Sequence, residues 1–174
     1  IVDGNVAYTI NSAAATSSDI NYNGVNPANV SVSNSDNDTA GISVNPTSGL
    51  VTTEAGGTAT FAVVLNSQPS GDVSVGLSSS DTTEGTVAPT SLLFTSGNWN
   101  VPQTVTVTGV DDLTVDGNVA YSIVTASATS SDSNYSGVNA SDVGVSNSDN
   151  DTAGISVSPT AGLVTTEAGG TATF

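Results

Sequence analysis

Residues Ser35 to Ile42 read SDNDTAGI, and the same eight residues return at Ser148 to Ile155, 113 positions later. They belong to a longer repeat, because residues 1–61 align without a gap to residues 114–174 and are identical at 48 of 61 positions. A period of 113 residues has the size of one domain and is too long for a helical solenoid. The sequence therefore predicts domains in tandem.

The DNDTAG motif gives the predicted boundaries of these domains. We expect residues 1–38 to be the C-terminal part of one repeat and residues 41–151 to be a complete repeat. Residues 154–174 would then be the N-terminal part of the next one. We interpret the chain as a window on a longer array.

Apolar and polar residues alternate through much of the complete repeat. Val73, Val75 and Leu77 are separated by Ser and Gly, and Val105 and Val107 by Thr. This period of two is typical of half-buried strands. Turns rich in Gly and Pro separate the strands, and no segment has helical periodicity with caps. About seven short strands in a repeat of this length predict an all-β fold of antiparallel, immunoglobulin-like β-sandwich domains.

The charged residues restrict the partners of the chain. It has 16 acidic residues and no Lys, Arg or His, so no side chain carries a positive charge. Nucleic-acid binding depends on Lys and Arg, and anionic membranes attract the same residues. We therefore expect no nucleic-acid partner and no direct membrane insertion. The absence of Cys excludes disulfides and thiolate metal sites, and such an acidic surface favours cations.

Three motifs occur in order along the complete repeat. They are FTSGNWNVPQTVTVTGVDD at residues 94–112, VDGNVAY at 115–121 and DNDTAG at 149–154. Together they resemble the tandem Calx-β-like and cadherin-like repeats of large bacterial surface proteins. The resemblance implies an extracellular or cell-surface location, calcium binding, and a role in stalks or adhesive fibres. We interpret the single Trp99 in the first motif as a core or edge-packing residue.

The resemblance also implies a set of calcium ligands. Calx-β-like domains place an early Glu, an acidic turn and a C-terminal acidic run together around calcium. Carried over residue by residue, these positions are Glu54, Asp111, Asp112, Asp116, Asp149 and Asp151. Asp81 matches the pattern less closely but is included, whereas Glu84 matches less closely again and is left out. Asp3, Asp36 and Asp38 would be the remaining part of the preceding repeat's site.

Elementary electrostatics favours a cation among these acids. Two carboxylates ~5 Å apart repel each other by about 3 kcal/mol at an effective dielectric constant of ~20. Ca²⁺ takes oxygen ligands in large number, whereas zinc prefers Cys and His. The spacing is not that of an EF-hand, because position 12 counted from Asp112 is Ile123. Ordinary turn formation by Asp and Asn is the alternative reading.

Three classes of function remain to be compared. The near-identity of the repeats favours a structural segment of a calcium-stiffened fibre, stalk or adhesin. Its partners would be neighbouring repeats of the chain, and lateral packing with other copies stays open. A polysaccharide- or ice-binding module is the alternative, permitted by an exposed row formed by Thr104, Thr106 and Thr108.

An enzyme is the third class. Without His or Cys, neither a nucleophilic triad nor zinc hydrolysis can be built. A carboxylate pair such as Asp81 with Glu84, or Asp111 with Asp116, could hydrolyse a glycoside. However, the single Trp of the chain does not suggest an aromatic-lined cleft. We therefore expect no enzymatic activity.

Overall fold

All regular elements of the protein are β-strands. The computed structural model describes residues 1–174. The strands are β1 (Val6–Ile10), β2 (Val30–Asn34), β3 (Ile42–Asn45), β4 (Leu50–Thr53), β5 (Thr58–Leu65), β6 (Val73–Ser79), β7 (Gly85–Ala88), β8 (Ser91–Phe94), β9 (Gln103–Gly109), β10 (Val119–Thr125), β11 (Thr129–Ser130) and β12 (Val143–Ser148). None of the structure is a helix with the length and hydropathy that crossing a membrane requires.

Strands β3 to β12 form a sandwich of two sheets. The first sheet has the order β3-β5-β9-β7, and all its pairs are antiparallel. The second has the order β11-β6-β10-β12-β4, with β8 also paired to β6. This confirms the all-β, immunoglobulin-like sandwich predicted from the alternation. One pair departs from the antiparallel rule, because β4 runs parallel to β12.

The core lies between the two sheets and is formed by the inward-facing half of each alternating strand. Trp99 is half-buried and packs against its edge, as expected. Full burial of a Val, Leu or Phe side chain contributes about 1.5–3 kcal/mol to folding. The largest contributors are Phe61, Val63, Leu65, Val73, Val75, Leu77, Leu92, Phe94, Val105, Val107, Tyr121, Ile123, Tyr135, Val143 and Val145.

The strand directions collect the loops at two poles of the sandwich. At one pole β5 ends at Leu65, opposite Ile42, and Asn66 N donates to Gly41 O. We call this the amino-terminal pole. At the other, β9 and β12 both end, and Glu54 N donates to Ser148 O. We call this the acidic pole. The chain thus enters the sandwich at one pole and leaves it at the other.

The segments outside the sandwich repeat parts of it. Strands β1 and β2 form a separate antiparallel hairpin that runs from the pair Val6–Asn34 to the pair Ile10–Val30. Strands β10 and β12 pair in the same register, from Val119–Asn147 to Ile123–Val143. Ile10 is 53% exposed in the hairpin, whereas its counterpart Ile123 is fully buried in the sandwich. No strand follows Ser148.

Candidate metal centre

Seven carboxylates converge at the acidic pole from four segments of the chain. They come from the β4–β5 turn, the β6–β7 loop, the β9–β10 loop and the segment after β12. In that order they are Glu54, Glu84, Asp111, Asp112, Asp116, Asp149 and Asp151.

Glu54 is fixed by the parallel pairing of β4 with β12. That pairing ends at Thr53 and Ser148, so the next residue, Glu54, lies beside the exit segment. Its backbone N–H donates to Ser148 O at 3.2 Å, and its Oε2 accepts the Asn150 N–H at 2.9 Å. The residue is only 3% exposed. A buried carboxylate is therefore held against the strand by which the chain leaves the domain.

Asp149 joins that exit segment to the β9–β10 loop. Its Oδ2 accepts the Gly117 N–H at 2.7 Å, and its Oδ1 accepts the Asp151 N–H at 2.7 Å. Gly117 has a φ of +76°, a conformation that side chains rarely tolerate, so the turn requires glycine here. Glu54, Asp116 and Asp149 each offer one oxygen, and these oxygens lie within 4.8 Å of one another.

A second group of three shares Asp116 with the first. Oxygens of Glu84, Asp112 and Asp116 also lie within 4.8 Å of one another. Glu84 is 6% exposed, and its Oε2 accepts Asn147 Nδ2 at 3.4 Å. The sequence prediction left Glu84 out. Glu84 lies one residue before β7, and it reaches the site because that strand pairs with the end of β9, where the acidic turn starts; the sequence carries no signal of this pairing.

The electrostatics of the site are those of crowded carboxylates without a cationic side chain. The Asn150 N–H lowers the pKa of Glu54, but desolvation and the charges of the nearby aspartates outweigh it and raise that pKa overall. Burial and the same crowding raise the pKa of Asp151. Asp149 behaves oppositely, because the N–H groups of Asp151 and Gly117 lower its pKa. Ionisation of Glu54 and Asp151 is thus disfavoured by the fold itself.

Asp151 supplies an independent sign that the site lacks a ligand for one of its oxygens. Its Oδ2 is buried and has no hydrogen-bond partner, and a buried polar atom without a partner costs folding free energy. All the surrounding acidic donors are hard oxygens, and neither Cys nor His occurs in the chain. The residues therefore fit a hard divalent cation rather than zinc.

The other predicted site residues lie in different surroundings. Asp111 accepts Asn150 Nδ2 at 3.5 Å but belongs to neither group of three. Asp81 also lies outside both groups, and its Oδ1 accepts the N–H and the hydroxyl of Thr83 at 3.0 and 2.5 Å. Asp81 thus stabilises its own turn, and the calcium role predicted for it stays a prediction.

The three aspartates at the start of the chain repeat half of the arrangement. Asp36 Oδ2 accepts the N–H groups of Gly4 and Asp3 at 2.7 and 3.0 Å, as Asp149 does with Gly117. Asp36 Oδ1 accepts the Asp38 N–H at 2.9 Å, which matches the bond between Asp149 and Asp151. Asp38 also pairs with the ammonium group of Ile1 at 2.6 Å.

Comparison with known proteins identifies the fold but no family. No protein-family model matches the chain, and neither does any curated protein. A crystal structure of the apo form of the Calx CBD1 domain is similar with a TM-score of 0.50 and 18% identity, covering 66% of this chain and 100% of that one. Domains 4 and 5 of the S-layer protein SbsC match with a TM-score of 0.38 and 24% identity, covering 70% of this chain and 50% of that one. At 18% identity the Calx likeness shows a shared β-sandwich fold.

Proposed function

We propose that the chain is a structural segment of an extracellular or cell-surface fibre, stalk or adhesin, built from tandem β-sandwich repeats that Ca²⁺ stiffens. The observation that carries this proposal is the convergence of carboxylates, including buried Glu54 and the unpartnered Asp151 Oδ2, at the pole where the chain leaves the domain. No catalytic role is proposed.

The proposed ligands are the two groups of three that share Asp116. Glu54, Asp116 and Asp149 form one, and Glu84 and Asp112 complete the other. Bound Ca²⁺ would supply the positive charge that the chain lacks and offset the repulsion among its ligands. The chain's own contribution is to hold these oxygens on four separate segments, so that fixing them also fixes the exit strand.

The tandem arrangement is the second part of the proposal. Residues 1–38 would end a preceding repeat, residues 41–151 would form a complete one, and residues 154–174 would begin the next. The identical registers of β1–β2 and β10–β12 support this division. So does the exposure of Tyr8 and Ile10, whose counterparts Tyr121 and Ile123 are buried against the opposite sheet.

Calcium titration of a matched pair of variants tests the site. Glu54 and Glu167 occupy the same position of the identical stretch GLVTTEAGG, but only Glu54 lies among the other carboxylates. We expect Glu54→Gln to weaken calcium binding at least about tenfold, which corresponds to about 1.4 kcal/mol. Glu167→Gln removes the same charge and should leave the affinity unchanged. Equal affinities of the two variants in isothermal titration calorimetry would contradict the assignment.

A second candidate function is binding of a polysaccharide. One observation favours it, because the outer face of the first sheet carries Thr in register on neighbouring strands. Thr58, Thr108 and Thr86 form one row across β5, β9 and β7, and Thr60 pairs with Thr106 in the next row. Neighbouring strands are ~4.8 Å apart and alternate residues ~6.8 Å, so the hydroxyls form a regular uncharged array. Glycan-array screening of the wild type and Thr106→Ala would test this candidate.

A further inference from the structure

One hydrogen bond joins the segment of residues 1–38 to the sandwich. Asn134 Nδ2 donates to the backbone oxygen of Val2 at 3.4 Å, across 132 residues of sequence. Asn134 lies in the β11–β12 loop, in the turn of residues 131–137, which we call the Asn134 turn. Val2 begins the VDGNVAY motif of the hairpin.

The Asn134 turn is anchored firmly to the amino-terminal pole. Asp132 is 4% exposed, and its carboxylate accepts the N–H groups of Ser70 and Asn134 at 2.8 and 2.9 Å. The buried hydroxyl of Tyr135 donates to Ser67 O at 2.6 Å. The side-chain amide of Asn134 is therefore exposed, whereas Asp132 and Tyr135 of the same turn are hydrogen-bonded to the sandwich.

The repeat allows the same asparagine to be compared at a second position of the chain. Asn21 is the counterpart of Asn134, and Asp19 is that of Asp132. In the hairpin segment, Asn21 Nδ2 donates to its own Asp19 Oδ1 at 2.9 Å. The asparagine amide thus bonds within its turn at one end of the chain and reaches across to Val2 at the contact between repeats.

The same comparison applies to the residue that accepts this bond. The side chain of Val2 is half-buried, whereas its counterpart Val115 is 54% exposed. Leu113, in the same β9–β10 loop, is 91% exposed. Two apolar side chains are therefore uncovered beside the acidic pole, at the position where a following repeat would begin.

We infer that the Asn134 turn is the docking surface for the end of the preceding repeat, and that Val115 with Leu113 receives the equivalent turn of a following repeat. An amide donor suits this position, because another carboxylate would be repelled by the acids of the neighbouring pole. This inference rests on the proposed tandem array but not on the metal. It gives the junction a direct contact between repeats beyond the covalent linker.

Cross-linking of the full chain tests the contact, and the absence of native Cys makes the result unambiguous. Val2→Cys with Ser133→Cys, an exposed position of the same turn that keeps the Asn134 amide, should be joined within one molecule by a short bis-maleimide, detected by mass spectrometry. The matched control is Val115→Cys with Ser133→Cys, which uses the same VDGNVAY motif but places the two thiols at opposite poles of one sandwich. We expect the first pair to react at least about tenfold faster, because proximity raises the effective concentration.

Equal rates for the two pairs, with unchanged circular dichroism, would overturn the inference. The reaction is run both with calcium and with chelator. A fast first pair in a protein that shows no calcium binding by calorimetry would support docking while refuting the metal site. A slow first pair in a protein that does bind calcium would refute docking alone.

Discussion

Ionised Glu54 destabilises the fold of the metal-free protein, whereas the proposed metal site requires it. Its backbone joins the first turn of the sandwich to the exit strand, whereas its carboxylate is buried beside Asp149 and Asp151. The fold raises the pKa of Glu54, so the ionised form opposes folding unless a cation is bound.

The raised pKa gives a pH dependence with a definite sign. Below its ordinary pKa of about 4.3, Glu54 is protonated and makes its full contribution to stability. This contribution is lost as the pH rises through the raised pKa that Glu54 has in the folded state. In chelator we therefore expect Glu54→Gln to melt at a higher temperature than the wild type at pH 7. The difference should disappear near pH 4, because protonated Glu resembles Gln. Thermal unfolding by circular dichroism, with Glu167→Gln as control, checks this, and a difference independent of pH would contradict it.

Substitution of Tyr135 tests how firmly the Asn134 turn is anchored to the amino-terminal pole. Its buried hydroxyl donates to Ser67 O and contacts Ser67 N and Oγ at 3.1 and 2.9 Å. Tyr135→Phe leaves these buried groups without a partner and should cost about 1–3 kcal/mol of unfolding free energy in urea denaturation. Tyr22 is its repeat counterpart and is 63% exposed, so Tyr22→Phe should change stability by less than about 0.5 kcal/mol. Similar losses in both variants would show that the buried bonds are not the cause.

Among the elements, the β9–β10 loop contributes most to the proposed site. It follows a strand that ends at the acidic pole, and its Gly117 turn binds the exit segment through Asp149. Asp116 belongs to both groups of three carboxylates. The loop therefore connects the two sheets at this pole, since β9 and β10 lie in different sheets.

Removal of Asp116 should affect calcium more than removal of an acid from another loop. Asp72 precedes β6, on the loop whose Ser70 bonds Asp132 at the amino-terminal pole, and belongs to neither group of three. We expect Asp116→Ala to weaken calcium binding by about tenfold or more, whereas Asp72→Ala should leave it unchanged. Isothermal titration calorimetry decides, and comparable losses would mean that long-range charge rather than coordination determines the affinity.

Alternation of Val with Ser and Thr was sufficient to predict the strands and the sandwich, because the period of two is a local property. The resemblance also pointed to acids that the structure brings together, among them Glu54, Asp112 and Asp149. The parallel pairing of β4 with β12 and the inclusion of Glu84 could not be predicted, because both depend on contacts between segments far apart in sequence. Asp81 was included as a weaker match to the resemblance, and its local hydrogen bonds to Thr83 are a property of the folded turn.

For the whole molecule, the opposite placement of the two poles determines how repeats can extend. The chain enters beside Gly41 and leaves beside Asp151, with β12 running from one pole to the other. A strand advances ~3.3 Å per residue, so each repeat should lengthen an array by roughly the length of its sandwich. In the proposed array, residues 152–154 would be the linker between two repeats, and three residues are too few to let these repeats move freely.

Chelation should therefore affect both the stability and the shape of the molecule. Extracellular calcium sites often have a Kd of about 10⁻⁴ to 10⁻³ M, and one site filled at 100 times Kd adds about 2.7 kcal/mol to stability. We expect chelator to lower the melting temperature by roughly 10 °C. Small-angle scattering should show an elongated particle in which the segment after β12 moves more freely without calcium. The proposed ion would be bound by Glu54 and by carboxylates of the β9–β10 loop and of the exit segment. Loss of the ion should therefore loosen the junction before it unfolds the core. Identical melting and scattering in both conditions, or a compact particle with the hairpin packed along the sandwich, would contradict a calcium-stiffened array.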